Sequence, residues 1–253
     1  MNPSVPPVFL SAIDEERFGI RTAKAPHVTL DVLPSVIDFC KANNVALLIA
    51  RTLTSDLPVA QAMEREGFTL MDTLVYYVCD LVRNPIPATN GNIHIHPIRP
   101  GEEEKVKGVA AEAFRGYFGH YHKDKRLDPA KCDETYVSWA VRSCILKEVA
   151  DVALVAELNG DIVAFISLRL KNPDEGEGVL NFVAPRAQRQ KINREILIGG
   201  MKWCLGKGAT HMIISTQITN IAVQKVWTRI GFEPSYSYYT FHRWFDQSSS
   251  IKR

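Results

Sequence analysis

The chain has no apolar run approaching the roughly 20 residues that a membrane-spanning helix needs, which sets aside a transmembrane segment. Its first residues, MNPSVPPVFLSAIDEERFG, lack the basic start and apolar centre of a secretory signal and are not read as one. No CxxC pair occurs. The five cysteines, Cys40, Cys79, Cys132, Cys144 and Cys204, are odd in number and scattered, a pattern of reduced thiols that points to a cytoplasmic location. Nor does one sign of charge dominate: 30 Lys and Arg against 28 Asp and Glu give +2 at pH 7, so the overall field offers nucleic acid no grip. With 46% hydrophobic residues among 253, the chain can fill one large core or two smaller ones.

The last quarter carries the most pattern. In VLNFVAPRAQRQKINREIL, residues 179–183 read as a buried strand, Pro185 forbids its continuation, and Ile192, Ile196, Leu197 and Met201 recur at helical spacing. A chain passing from strand to helix in this way aims backbone N–H groups beyond the helix N-terminus, a place suited to a pyrophosphate. Arg186, Arg189, Lys191 and Arg194 either add side-chain charge there or form a solvated basic helix face. Residues 212–215 are a second apolar strand. A polar loop leads to Asn220, a good N-cap for a helix carrying Ile221, Val223, Val226, Trp227 and Ile230, with Gly231 at its C′ position and Phe232 opening another strand.

Strand, basic turn, helix, strand, Asn-led helix and Gly-Phe, in this order, resemble the acyl-CoA-binding half of the GNAT (Gcn5-related N-acyltransferase) superfamily. The resemblance implies a thioester held where two strands part, with acyl-CoA as co-substrate. The family's turn reads Arg or Gln, Gly, any residue, Gly, an aliphatic, then Gly or Ala; here these positions are Gln188, Arg189, Gln190, Lys191, Ile192 and Asn193. Gln188 and Ile192 fit, whereas Arg189, Lys191 and Asn193 replace small residues that allow positive φ and close approach of phosphate. Asn220, Ala222, Gly231 and Phe232 follow the later part of the pattern, but Trp227 stands where the family has a Tyr that protonates the departing thiolate. An indole N–H is a donor only and cannot be that acid, so Trp227 is either a wall for the pantetheine arm or core. By the resemblance, Phe182, Val183, Gln188, Arg189, Lys191, Ile192, Asn193, Asn220 and Trp227 surround the donor.

The chain also repeats. Shifting it by 164 positions, the separation of Cys40 and Cys204, lays FCKANNVALLIARTLTSDLPVAQAMEREGF over WCLGKGATHMIISTQITNIAVQKVWTRIGF without a gap. Asp56 meets Asn220, and Gly67-Phe68 meets Gly231-Phe232. Residues 25–34 offer no glycine and too little length for a phosphate turn, so only the second copy is expected to bind an acyl donor. Prolines with Asn90, Gly91 and Asn92 break all periodicity, placing a boundary between residues 1–90, a partial copy, and 91–253, the catalytic copy. Asn159-Gly160-Asp161 marks a hairpin between residues 151–158 and 162–170. The fold class is therefore α+β: tandem GNAT-like domains, each a mixed, mostly antiparallel sheet flanked by helices.

Between the first helix of the second copy and that hairpin, aromatic and ionisable residues interleave: Tyr117, His120, Tyr121, His122 and Arg126 among them. Aromatic faces and cations at this density suit a nucleotide base and a diphosphate. The stretch FGHYH resembles the GNAT subgroup that acylates dTDP-linked amino-deoxy sugars, the dTDP-fucosamine acetyltransferase type, which implies a nucleotide-linked amino sugar as partner. His120 and His122 face substrate, serve no task, or hold a metal with Cys132 or Asp124; no complete ligand set accompanies them, and no metal is expected. His94, His96 and His242 read as structural strand residues. The chemistry expected is attack of a neutral amine on the thioester: an amide near Phe182 or Val183 receives the oxyanion as in the family, Asn181 orients the amine or a bridging water, and either His120 or His122 is the base or approximation alone supplies the rate. The other readings are a GNAT acting on another amine and a non-catalytic binding module. Exposed sheet edges leave room for a homodimer.

Overall fold

The computed structural model describes residues 7–89 and 91–245; Asn90, part of the expected boundary, lies outside them. The first part of the chain runs β1 (Phe9–Leu10), α1 (Ala12–Phe18), β2 (Thr22–Ala25), α2 (Leu33–Ala42), β3 (Leu47–Leu53), α3 (Leu57–Arg65) and β4 (Thr69–Asp80). It continues through β5 (His94–Pro97), α4 (Glu103–Ala113), α5 (His120–Lys123), α6 (Pro129–Ile145), β6 (Val152–Leu158), β7 (Asp161–Asn172) and β8 (Glu175–Val183). A short 3-10 turn, Pro185–Ala187, leads to α7 (Ile192–Gly206), β9 (His211–Gln217), α8 (Ile221–Arg229) and β10 (Glu233–Trp244).

The internal repeat is visible in the element bounds. Moved by the same 164 positions, β3 falls on β9, α3 on α8 and β4 on β10, end for end. Gly67 and Gly231, which follow the paired helices α3 and α8, both take positive φ, 81° and 96°, the left-handed stop that glycine adopts without strain.

Two compact units emerge, and they cut across the order of the chain. The first comprises Met1–Leu74, Phe118–Lys131 and Tyr236–Arg253; the second comprises Val75–Tyr117 and Cys132–Ser235. In the first, the strands lie in the order β1-β2-β3-β10, with β2 and β3 parallel and β3 and β10 antiparallel from Leu47↔Trp244 to Leu53↔Tyr238. Its core gathers Val36, Ile37, Leu48, Val59, Met63, Phe68 and Phe241. In the second, the order is β4-β9-β8-β7-β6-β5, antiparallel from β5 to β8 and parallel between β8 and β9. Phe165, Ile166, Leu168, Ile196, Leu197 and Met212 fill its core. The last strand of each repeat thus runs on into the other unit: β10, from Tyr236 in the first unit, closes on β3, and β4, from Val75 in the second unit, lies beside β9.

The expected hairpin forms with both turn residues left-handed, Asn159 at φ 52° and Gly160 at φ 87°, the pair of positive values a two-residue turn needs to match strand twist. The strands of each unit are mixed and mostly antiparallel, which is the α+β class read from the sequence.

Candidate functional site

In the second unit, β8 and β9 run side by side only from Glu175↔His211 to Gly178↔Ile214. Beyond that point β8 stays on β7 through Ala164↔Val183, while β9 continues to Gln217 without it. Val179 is the residue where the parting begins: Ser167 faces Leu180 and Leu168 faces Gly178, so Val179 bulges out of register and bends its strand. A gap between parallel strands follows. Ala184 donates its amide to Val163 O at 2.8 Å, on the β7 side, so by strand alternation the amides of Val183 and Asn181 point to the open side. Phe182 gives the gap neither amide nor ring: alternation turns its amide to β7, and its ring is 5% exposed, stacked on Phe165 at 5.0 Å and edge-on to Phe114 at 5.3 Å. Asn181 shares the other face with Val183, and its Nδ2 is buried with no hydrogen-bond partner.

The turn after β8 keeps the shape its missing glycines would give. Arg189 and Lys191 both sit at φ 63°, in the left-handed region that non-glycine residues enter at a cost of about 1–2 kcal/mol. Lys191 is the N-cap of α7, and Glu195 is the first residue whose amide reaches a backbone acceptor, Lys191 O at 3.2 Å. The amides of Ile192, Asn193 and Arg194 therefore point out of the helix end. Asn193 Oδ1 is buried without a partner, and Ile192 anchors the turn in the core at 1% exposure. Of the four cations, Arg186 pairs with Glu112, and Arg194 holds Glu195 at 2.5 Å and Ala88 O at 3.1 Å. Arg189 and Lys191 are exposed beside Gln188 and make no ion pair among the described residues. A pyrophosphate would find helix amides and two uncommitted cations here, and Asn181 and Asn193 supply polar atoms still wanting partners: the residues present fit an acyl-CoA.

Trp227 is core. It is 3% exposed and packs edge-on to Tyr77 at 5.4 Å, with Nε1 buried and unpartnered. Asn220 occupies the N-cap position of α8, but its side chain does not cap; Nδ2 donates to Thr216 Oγ1 at 3.1 Å. Tyr117, also in this unit, donates its hydroxyl to Gln217 Oε1 at the end of β9 and lies edge-on to Phe114 and Tyr136.

His120, Tyr121, His122 and Arg126 belong to the first unit, on and after the one-turn helix α5, where a spacing of two puts the histidines on different faces. Tyr121 is 5% exposed and donates to Asp14 Oδ1 at 2.9 Å. Burial works to raise the Asp14 carboxyl, but Lys24 at 2.5 Å, Ser11 and Tyr121 outweigh it and hold it below its ordinary value. Arg126 lays its guanidinium over the Trp244 ring, 3.8 Å from the centroid. His122 is half-buried, its amide on Gly119 O at 3.0 Å.

Two residues outside the expected catalytic and substrate-binding set, Asp124 and His242, meet in this unit. Asp124, 4% exposed, accepts from His242 Nδ1 at 2.7 Å, Trp244 Nε1 at 2.9 Å and the Arg126 amide at 3.1 Å. Burial pushes its carboxyl up, and these donors more than reverse it, leaving Asp124 ionised. His242 Nε2 then meets His120 Nδ1 at 2.9 Å. Since the carboxylate only accepts, His242 carries a proton on Nδ1; with that ring neutral its Nε2 accepts, and His120 then donates from Nδ1 and keeps its own Nε2 bare. Burial, with His242 and the charges of Arg51 and Lys24, holds His120 well below the usual imidazole range, so it is neutral at physiological pH. Alternation along β10 places His242 inward, but no local signal ties it to Asp124, 118 residues away.

Residues 111–232 match the Acetyltransferase (GNAT) family. The spore coat polysaccharide biosynthesis protein SpsD of Bacillus subtilis (strain 168) is 24% identical over 202 residues, covering 78% of this chain and 66% of that protein, just under two thirds of its length. A GCN5-related N-acetyltransferase from Kribbella flavida superposes with a TM-score of 0.65 at 15% identity, over 98% of this chain and 90% of that one. A tandem GNAT protein from the clavulanic acid biosynthesis pathway gives 0.58 at 14% identity, over 89% and 76%. At these identities the structural likeness concerns the fold.

Proposed function

Residues 111–232 form an acetyltransferase domain of the GNAT family, an acyl-CoA-dependent class of enzyme, and on that premise we propose that this protein moves an acyl group from acyl-CoA to the amino group of a dTDP-linked amino-6-deoxy sugar. The donor half rests on one observation: β8 leaves β9 after Gly178, and the following turn holds two left-handed residues without a glycine. A chain bears such strain where the backbone shape itself is used. The acceptor half is supported by the interleaved aromatic and basic residues at 117–126 and by the similarity to a protein named for polysaccharide biosynthesis.

In this reading residues 91–253 are the catalytic copy and residues 1–90 the partial one. The pantetheine thioester enters between β8 and β9, its pyrophosphate on the α7 amides, Arg189 and Lys191. The sugar amine attacks the carbonyl carbon, and the oxyanion takes the Val183 amide, which points to the open side of β8. As the tetrahedral intermediate collapses, the C–S bond breaks and the thiolate leaves without help from the packed Trp227. Asn181 orients the amine. His120 or His122 takes the amine's proton; His120 keeps Nε2 bare, and its depressed pKa favours passing that proton on rather than holding it. Tyr117, Tyr121, His122 and Arg126 serve the nucleotide sugar.

Purified protein incubated with acetyl-CoA and longer acyl-CoAs, and with dTDP-3-amino- and dTDP-4-amino-6-deoxyhexoses, tests the reading by free thiol release and product mass. Thiol release that depends on one sugar, with a product heavier by the acyl group, is expected. Release with another amine only would move the acceptor, and no release together with no thermal shift by any acyl-CoA would leave a binding module.

A further inference from the structure

On the outer strand of the second unit's sheet, β5, His94 and His96 are two residues apart and share a face, and Glu157 on β6 stands directly opposite His94. Ile95, between them, goes to the other face, toward Gly199 of α7. The two imidazole rings are 4.9 Å apart, and the ligand atoms of all three side chains lie within 4.8 Å of one another. His94 is exposed, Glu157 half-buried and His96 buried.

The hydrogen bonds leave an electrostatic gap among them. His96 Nδ1 lies 2.8 Å from Pro97 O. A carbonyl only accepts, so Nδ1 carries the hydrogen, and in the neutral ring Nε2 is a bare lone pair. That lone pair faces Glu157 Oε2 at 3.3 Å, acceptor against acceptor. Something positive belongs between them. A proton on Nε2 would serve, but it has no use for a second imidazole beside it. A separation of 3.3 Å is also close to the edge of a tetrahedron with ligands about 2.0–2.2 Å from its centre. An Nδ1–H held by a backbone carbonyl is the arrangement that fixes ring and tautomer in metal-ligating histidines. The register shift between Ala156 and Glu157 in the β6–β7 pairing sets the direction of the carboxylate.

We propose that His94, His96 and Glu157 bind a borderline divalent transition ion, Zn²⁺ or a close neighbour of it. Two imidazole nitrogens and one carboxylate suit Zn²⁺, Co²⁺, Ni²⁺ or Cu²⁺ and do not suit Mg²⁺ or Ca²⁺. Three protein ligands leave a fourth position to water. The ion ties the outer strand to its neighbour and takes no part in acyl transfer. This assigns a ligand role to two histidines read from the sequence as structural, and a metal to a chain expected to have none.

The test uses the full chain without an affinity tag, stripped of metal and then dialysed against Zn²⁺ at low micromolar free concentration. One ion per chain is expected, with nitrogen and oxygen but no sulfur in its X-ray absorption shell. His94→Ala, at an exposed position where folding is not at stake, and the conservative Glu157→Gln should each weaken binding at least tenfold. Substoichiometric binding, sulfur in the shell from the five cysteines, or unchanged affinity in both variants would overturn the assignment.

Discussion

His120 and His242 meet nitrogen to nitrogen, Nδ1 to Nε2, at 2.9 Å, and the carboxylate of Asp124 behind them decides which way the protons point. Nitrogen-15 NMR of labelled protein should find His120 neutral, protonated on Nδ1, and still neutral below pH 6, because its pKa is depressed by burial. The sign for stability follows. A histidine kept neutral in the fold resists protonation that the unfolded chain accepts, so the fold loses stability as pH drops below the ordinary imidazole range. If His120 is the base, His120→Gln lowers kcat/KM by about 10²-fold or more, and Asp124→Asn lowers it less while shifting the acid limb of the pH profile. Variants with unchanged limbs would take the base role from His120.

Arg189 and Lys191 predict a variant more stable than the parent. Glycine at either position relieves left-handed strain, and the double replacement should gain roughly 1–2 kcal/mol in denaturant titration. The same variant loses both uncommitted cations. Its affinity for acyl-CoA, measured calorimetrically, should fall severalfold at low salt and vary less with salt than the parent's. Greater stability with unaltered affinity would mean that the turn does not hold the pyrophosphate.

Asn181 separates folding from function in a similar way. Its buried, unpartnered amide donor costs the empty protein about 1–3 kcal/mol, so Asn181→Val should raise the melting temperature without ligand. If the amide orients the amine, turnover should drop at the same time. A variant that is both less stable and fully active would contradict both halves.

Asp72, on β4, is pushed up to about 6 by burial, against the pull of the Thr73 amide, Arg51 and Lys123, and its Oδ2 is buried without a partner. A carboxyl raised in the fold contributes most below its unfolded value near 4, and that contribution is lost as pH rises through 6. Asp72→Asn should therefore stabilise the protein by roughly 1–2 kcal/mol at pH 7.5 and much less near pH 4, read from urea midpoints at both.

The repeat was legible because apolar spacing and the Gly-Phe stop recur at one fixed offset, and local pattern is what hydrophobic periodicity reports. The sequence also carried the order of strand, turn and helix around the donor gap. It could not show that Arg189 and Lys191 hold glycine-like angles, since side-chain identity argues against them and only the packing of Ile192 and the parting of β8 impose them. Trp227 stood open between pantetheine wall and core until its contact with Tyr77 placed it in the core. The bond between His242 and Asp124 joins positions far apart in the chain, and pairings of that kind leave no short-range signature. Asn220 lies at the expected helix start, yet its side chain turns back to Thr216, a choice among local acceptors that composition does not decide.

Strand β3 has one edge on β2 and finds cover for the other only in residues 238–244. During synthesis at about 5–20 residues per second, nearly two hundred residues must follow β3 before that cover is made, a wait of roughly ten to forty seconds. Throughout it the nascent first unit carries an open, apolar sheet edge, Leu47 to Ala50 among it, of the kind that recruits other chains. Completion of the first unit therefore waits on the last strand to be made, and until then the open edge of β3 is the surface that must be kept from other chains.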